Sequence, residues 1–364
     1  MKFRFAILSD PHIAIPETID AIATRFHMVE VSIPAFEKTI SHLEQLNLDF
    51  LLIPGDLTQD GEIVNHQWLQ NRLKQLPFPT YVIPGNHDVP TLNTQDQSVG
   101  LTDFPRYYQH CGYDNSQQCY YTHEILPGLQ LIGLNSNQFN AAGEQIGHLD
   151  EEQLQWLENL LPQLQDKQIW VMIHHNVIEH LPNQSQHALG YRYMLDNAPE
   201  LLAILKKYGV KLIFTGHLHV QDLAYQEGIY EMTTGSLVSY PHPYRVIDAE
   251  YEPNGQLTLS VQSHRIDSVP GWENLAQKSR QFLGDRSAFF MTKLLTLPPV
   301  NLPAAEVEQY IPHLRYFWAD VAAGDGNFDF PEFPLKMRYF FQQFTSFNLP
   351  PNAKSVDNNV TLLL

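Results

Sequence analysis

Ile83-Pro84-Gly85-Asn86-His87-Asp88 reads as a strand running into a glycine turn, then an amide, an imidazole and a carboxylate in succession. Glycine permits the backbone of a tight strand-to-loop turn. The turn sets three polar side chains at a strand's carboxyl end, where open α/β sheets bind ligands. Four other stretches have the same form: Asp10-Pro11-His12, Gly55-Asp56, His174-His175 and Gly216-His217-Leu218-His219. Each follows a short apolar run. Together they offer oxygen and nitrogen ligands for two metal ions.

Working outward, residues 3–8, 50–53, 81–83, 169–173 and 212–215 read as buried strands that deliver these motifs. Residues 33–46 carry apolar side chains at helical spacing through Ile33, Phe36, Ile40 and Leu43; residues 64–76 do so through Val64, Trp68, Leu69, Leu73 and Leu76. The result is a βαβαβ alternation with polar motifs at the strands' C-terminal ends. Residues 14–32 are polar and mixed, a loop near the site. Residues 89–119 lose their periodicity. A long polar loop inside a domain is usually functional, and its place directly after the opening motif predicts a wall of the site.

Residues 120–124 and 129–134 read as paired strands around Pro127-Gly128. Asp150 with Gln153 forms a capping-box pattern ahead of a helix whose apolar face is Leu154, Leu157, Leu160, Leu161 and Leu164. A second loop covers 176–197, and a helix over 199–208 closes at Gly209. The texture then turns to strands at 222–225, 229–233, 246–251 and 257–263, which predicts a second sheet packed on the first. From about 269 helical patterns return, at 272–282, 288–295, 307–323 and 335–344, rich in Phe, Tyr and Trp. The chain therefore divides into a catalytic domain, 1–268, and a helical C-terminal extension, 269–364. The extension is expected to pack on the catalytic domain, walling the cleft or forming a homodimer face.

Lys and Arg number 22 against 40 Asp and Glu, a net charge of −18. Such a chain repels polyanions, so nucleic-acid polymers and anionic membranes are disfavoured partners. A small phosphorylated substrate stays open, because bound metal ions reverse the local potential. The two cysteines, Cys111 and Cys119, read as inert free thiols of a cytoplasmic protein. The first apolar run is too short for a signal-peptide core and contains Arg4, and no long uncharged apolar stretch predicts a membrane span.

Asp10, His12, Asp56, Asn86, His174, His217 and His219 mix carboxylate, amide and imidazole. That set suits Mn, Fe, Co or Zn rather than Ca or Mg. Two such ions about 3.5–4 Å apart clamp the attacking and leaving oxygens of an in-line displacement and lower the pKa of a bound water, which supplies hydroxide near neutral pH. A single carboxylate can bridge them. His87 does not easily ligate beside a ligating Asn86; it would serve the leaving group as an acid or hydrogen-bond donor. Asp88 could fix the His87 tautomer.

At these residues the chain resembles the calcineurin-like metallophosphoesterases, whose pattern is D-x-H, G-D, G-N-H-D/E, a later H and G-H-x-H. Every element stands here in order, over roughly residues 1–266. The resemblance implies a four-layer α/β/β/α sandwich and a dinuclear centre. It implies Asp10, His12 and His219 on one metal, Asn86, His174 and His217 on the other, Asp56 between them, and His87 beside the leaving group. The wording around the motifs is most similar to bacterial cyclic-nucleotide phosphodiesterases (class III type), through Gly216-His217-Leu218-His219-Val220-Gln221, Ser239-Tyr240-Pro241-His242-Pro243-Tyr244-Arg245, and His174-His175-Asn176 with Gly190-Tyr191. That implies hydrolysis of a small phosphodiester, a cyclic nucleotide first. A phosphomonoesterase, a nucleotide-pyrophosphate hydrolase and a non-catalytic scaffold are the alternatives.

Other residues have plainer readings. His175 is expected to support rather than ligate. His242 reads as a surface-loop histidine, with a substrate contact as its alternative. Asp325-Gly326-Asn327-Phe328-Asp329-Phe330 lacks the glycine of a calcium loop at its sixth position and reads as a turn. Tyr316-Phe317-Trp318 and Tyr339-Phe340-Phe341 read as helical core or docking face rather than nucleotide stackers.

Overall fold

The structure is a computed structural model that describes residues 1–20, 25–253, 255–345, 347 and 357–364. The predicted alternation appears as β1 (Lys2–Ile7), α1 (Ser32–Leu43), β2 (Phe50–Ile53), α2 (Ile63–Leu73) and β3 (Thr80–Val82), followed by a short helix, α3 (Phe104–Tyr107). Next come β4 (Tyr121–Leu126), β5 (Leu129–Gly133), a small hairpin of β6 (Asn137–Phe139) and β7 (Gln145–Gly147), then α4 (Glu151–Leu160), β8 (Gln168–Met172), α5 (Ala198–Lys207) and β9 (Leu212–Thr215). Strands β10 (Asp222–Gln226), β11 (Ile229–Thr233), β12 (Pro243–Tyr251) and β13 (Leu257–Arg265) complete the domain. The extension carries α6 (Leu275–Thr296), α7 (Ala304–Val307), α8 (Phe317–Ala323), α9 (Leu335–Gln342) and a strand, β14 (Asn359–Leu363).

Among the described residues these strands form two six-stranded mixed sheets, ordered β14-β13-β12-β1-β2-β3 and β10-β11-β9-β8-β5-β4. The late strands do not make a sheet of their own. β10 and β11 extend the second sheet, while β12 returns antiparallel to β1 in the first. Alternation along the second sheet assigns its faces. Leu131, Trp170 and Phe214 point to the first sheet, where Phe5 lies 4.9 Å from Phe50 and 5.1 Å from Trp170, ring to ring. Ile132, Val171 and Ile213 point outward to Leu157 of α4 and Leu201 and Leu205 of α5. α1 and α2 cover the first sheet through Phe36, Ile40, Leu43 and Leu69. Helix, sheet, sheet, helix is the expected four-layer sandwich.

Residues 89–119 do not wall the site. Phe104, Tyr108, Cys111 and Tyr113 are buried in the main core, and none of the segment lines the central cavity. Its polar letters hide an aromatic plug, which is what a periodicity search misses. Both cysteines are free, and burial pushes both thiols up to about 12.

In the extension, the two helices expected at 272–282 and 288–295 are one helix, α6. Gly284 does not break it; a Cβ there would lie 2.6 Å from the Tyr316 ring, so the glycine lets that ring approach. The helix expected over 307–323 is only α7 and α8, with turns between. The extension has its own core of Met291, Leu295, Phe317, Phe333 and Phe341, and that core takes in Leu218 and Val220 from the His217–His219 loop. The Gln221 backbone N–H donates to Ala322 O at 3.0 Å. The extension also ends as a strand, which the helical reading did not include: β14 pairs antiparallel with β13 from Thr258↔Leu363 to Gln262↔Asn359. Asp325 sits in a bend at φ +55°, its carboxylate accepting from the Asp357 backbone N–H at 3.1 Å.

Candidate metal centre

Parallel strands β1, β2 and β3 of one sheet, and β8 and β9 of the other, end at the same place. The loops that leave them bring together Asp10, His12, Asp56, Asn86, His174, His217 and His219. The turns are tight: Asp10, His12, Asp56, His217 and His219 all have φ between +42° and +66°. Left-handed backbone at non-glycine residues is costly and concentrates where a site demands it. Gly55, at φ +96°, is the glycine whose backbone freedom is used here. Gly85 serves close approach instead, since a Cβ there would collide with the backbone N and carboxylate of Asp56.

Two donor clusters result, Asp10–His12–Asp56–His219 and Asp56–His174–His217, each with its ligand atoms within 4.8 Å of one another. Asp56 belongs to both. His12 Nε2 lies 3.3 Å from His219 Nε2 and 3.7 Å from Asp56 Oδ2, and His219 Nε2 lies 3.3 Å from Asp10 Oδ1. On the other side, His174 Nε2 is 3.4 Å from Asp56 Oδ2 and 3.2 Å from Asn86 Oδ1. Atoms held about 2.1 Å from a common cation sit roughly 3–3.5 Å from one another, so these separations fit ligation.

The second nitrogens fix the tautomers. His174 donates Nδ1–H to Pro54 O at 2.7 Å, which leaves Nε2 unprotonated toward the centre. His217 donates Nε2–H to Arg192 O at 3.2 Å, which leaves Nδ1 as its ligand atom. Burial, then His27, hold His12 well below the ordinary imidazole range, so its lone pair is available. For Asp56, burial alone would raise the carboxyl, but His174, His87 and His12 hold it well below its usual range. In return, against the lowering effect of burial, Asp56 lifts His174 to about 9. A cation bound at Asp56 would cancel part of that rise and favour an unprotonated Nε2 on His174. The residues fit two metal ions.

The His87 ring stands edge-on to His12, with centroids 4.7 Å apart, and lines the cavity. Its Nδ1–H donates to Gln59 O at 2.6 Å, with Asp60 Oδ1 at 3.5 Å, so Nε2 is free. Burial pulls its pKa down, but Asp56, Asp60 and Gln59 outweigh this and raise it to about 9. Cations bound at Asp56 would reverse part of that shift by cancelling its charge.

The expected partnership of Asp88 with His87 is a correction. Asp88 is fully buried and accepts from the backbone N–H groups of Gly85 (2.8 Å), Leu57 (3.0 Å) and Thr58 (2.8 Å) and from the Thr58 hydroxyl (3.0 Å). It ties the Asp56 turn to the Asn86 turn, and Gln59 O and Asp60 orient His87. His242 is a second correction. It is neither at the surface nor in the cavity lining, but buried, donating Nδ1–H to Leu237 O at 2.9 Å. His175 supports, as expected: its Nδ1 accepts from the Ser136 hydroxyl at 2.7 Å and its ring lies 4.4 Å from that of His217.

One residue of the site has no motif. His27 stacks on His12 with centroids 4.3 Å apart, forms a third donor group with His12 and His219, and donates Nε2–H to Gln59 Oε1 at 2.8 Å. It lies inside the loop 14–32 with no glycine turn or strand before it. Only its residue type could have drawn notice.

All of this opens into a cavity of about 1000 Å³ whose far side is built by the extension. No helix among the described residues is long and apolar enough to cross a membrane.

A family model described as calcineurin-like phosphoesterase matches residues 3–221. The chain is similar to a 3′,5′-cyclic-nucleotide phosphodiesterase of Nostoc sp., at 29% identity over 51% of this chain and 62% of the relative. It is similar to a probable glycerophosphodiester phosphodiesterase of Arcobacter nitrofigilis, at 28% over 63% of this chain and 78% of the relative. A 3′,5′-cyclic adenosine monophosphate phosphodiesterase of Escherichia coli matches at 27%, over 48% of this chain and 56% of the relative. The match thus spans about three fifths of the two cyclic-nucleotide enzymes. Among solved structures, a dimetal phosphatase from Danio rerio superposes with a TM-score of 0.52 at 16% identity, over 72% of this chain and 96% of that one; at this identity the likeness speaks for the fold.

Proposed function

Because this chain belongs to the calcineurin-like phosphoesterase family, we propose that it hydrolyses small phosphodiesters at a centre of two transition-metal ions. The observation that carries the reading is the pair of donor clusters sharing Asp56, with the His87 ring beside them. Asp10, His12 and His219 would hold one ion, Asn86, His174 and His217 the other, and Asp56 both. When bound, such ions supply Lewis-acid charge and an activated water.

The chain's own residues supply the remainder. Pro54 O and Arg192 O hold the His174 and His217 rings so that one nitrogen of each faces the centre. Asp88 keeps two motif turns in register. His87, oriented by Gln59 O, turns Nε2 toward the leaving-group oxygen and gives it a proton. Among small phosphodiesters, cyclic nucleotides are the class that the names of the Nostoc and Escherichia coli relatives point to.

The test is a screen of protein loaded separately with Mn, Fe, Zn or Co against diesters, cyclic nucleotides, monoesters and nucleotide pyrophosphates. Diester cleavage is expected. Cleavage of monoesters or pyrophosphates alone would move the chain to those activities. No turnover with two ions bound would make it a scaffold.

A further inference from the structure

The donor clusters stand on one side of the cavity; the side that the extension builds is mainly hydrocarbon. The extension contributes Leu283, Phe290, Met291, Leu294, Trp318 and neighbours, and every residue it adds to the lining is apolar except Arg286 and Ser287. The Ser287 hydroxyl is spent on Gly284 O at 2.9 Å, and the Arg286 guanidinium lies 3.6 Å over the Phe282 ring. The loop over 176–197 lines the cavity with Leu181, Pro182, Leu189 and Met194, and also with the polar His187, Tyr191, Arg192, Tyr193 and Asp196. Its one buried amide, Gln184, is already committed to the His180 and Leu181 N–H groups and to Asn176. Phe289, at the rim, is 63% exposed.

At about 1000 Å³ the cavity lies at the top of the usual range for small-molecule sites, roughly 300–1,000 Å³. A cyclic nucleotide would fill the metal end. Its base, pushed toward the wall of α6 and α8, would meet there only Arg286, Ser287 and the Trp318 indole as polar groups, and unpaired buried polar groups are penalised. Within the wall Phe317 packs edge-on against Phe344, with ring centroids 5.1 Å apart. An apolar wall this close to a charged centre fits a ligand that is itself divided in the same way.

We propose that the apolar end is a second subsite, and that the preferred substrate is an amphiphilic phosphodiester: phosphate at the metal centre, one ester group carrying a hydrocarbon chain along the wall of α6 and α8. The proposal rests on the hydrolase reading and narrows its substrate, ranking cyclic nucleotides below chain-bearing diesters.

The experiment uses the full-length, metal-loaded chain and alkyl 4-nitrophenyl phosphodiesters from methyl to decyl, below the concentrations at which they form micelles. The phosphate chemistry and the leaving group stay constant while the chain grows. We expect kcat/KM to rise roughly two- to fourfold per added methylene over the first several, and the octyl ester to surpass a cyclic nucleotide. Phe290→Gln and Trp318→Gln should each lower the octyl-to-methyl ratio by about tenfold or more. Turnover of all the esters without dependence on chain length would overturn the subsite and leave the hydrolase reading standing. So would a cyclic nucleotide that surpasses the octyl ester. If nothing is hydrolysed, the hydrolase reading fails, and calorimetric binding of alkyl phosphates decides the subsite: affinity that climbs with chain length upholds it, and flat affinity overturns it.

Discussion

Asp56 belongs to both donor clusters, so replacing its carboxylate by an amide removes charge from two cation sites at once. Asp56→Asn should therefore lower metal content at both sites together, from about two ions per chain toward none, in elemental analysis of the purified protein. Loss of one ion only would deny the shared role. His87 adjoins Asn86 but aims a free nitrogen into the cavity. His87→Ala should keep both ions and the fold while kcat falls about 10²–10⁴-fold on a diester with an alkoxide leaving group. The loss should be smaller with nitrophenolate, which departs unaided. Equal losses on both substrates would make His87 a binding residue. At this scale the site was legible because each candidate ligand follows an apolar run and, except in Asp10-Pro11-His12, sits by a glycine or a second histidine. His27 had no such frame. Asp88 was read into the wrong partnership because adjacency in sequence says nothing of which way a carboxylate faces in a turn.

The loop over 176–197 is an element held by one buried acid. Glu231 of β11 accepts from the Val177 and Ile178 backbone N–H groups (2.9 and 2.6 Å) and from His180 Nε2 at 3.0 Å, while His180 Nδ1 pairs with Asp222. Burial would lower the His180 pKa, but Glu231 and Asp222 outweigh it and raise it to about 10. A folded pKa above the unfolded value of about 6.5 means stability that is full below pH 6.5 and lost as pH climbs through 10. Thermal melts should show the native chain losing Tm between about pH 7 and 10. His180→Gln, less stable at pH 6, should lose less over that window; parallel profiles would remove His180 as the cause. In α6, Gly284→Val would drive a side chain into Tyr316 and should cost about 1–3 kcal/mol in denaturant unfolding. Elements with apolar periodicity were readable from sequence. The continuity of α6 was not, because a glycine admitting a neighbouring ring looks like a glycine ending a helix. β14 was not, because five residues that add to an edge strand carry little pattern of their own.

At the scale of the molecule, the catalytic sandwich was foreseeable from strands that end in ligands, whereas the extension's contribution was not, since contacts between distant segments leave no local trace. The contact that matters most is small. Leu218 stands between His217 and His219, the two candidate ligands, and its side chain is buried in the extension's core rather than the sandwich's. Metal occupancy and the folding of the extension are therefore thermodynamically linked, and linkage is reciprocal. By whatever factor the docking of α8 tightens ion binding at His217 and His219, bound ions would favour the docking of α8 by the same factor, and loosening of α8 would be felt as weaker ion binding. Hydrogen exchange should register this from afar: removing the ions with a chelator should speed exchange of amides in α8, while those in the centre of β12, remote from Leu218, keep their protection. A ligand lodged against α8 would push the same equilibrium the other way, so that occupancy of the cavity tightens the grip on the ions that act on it.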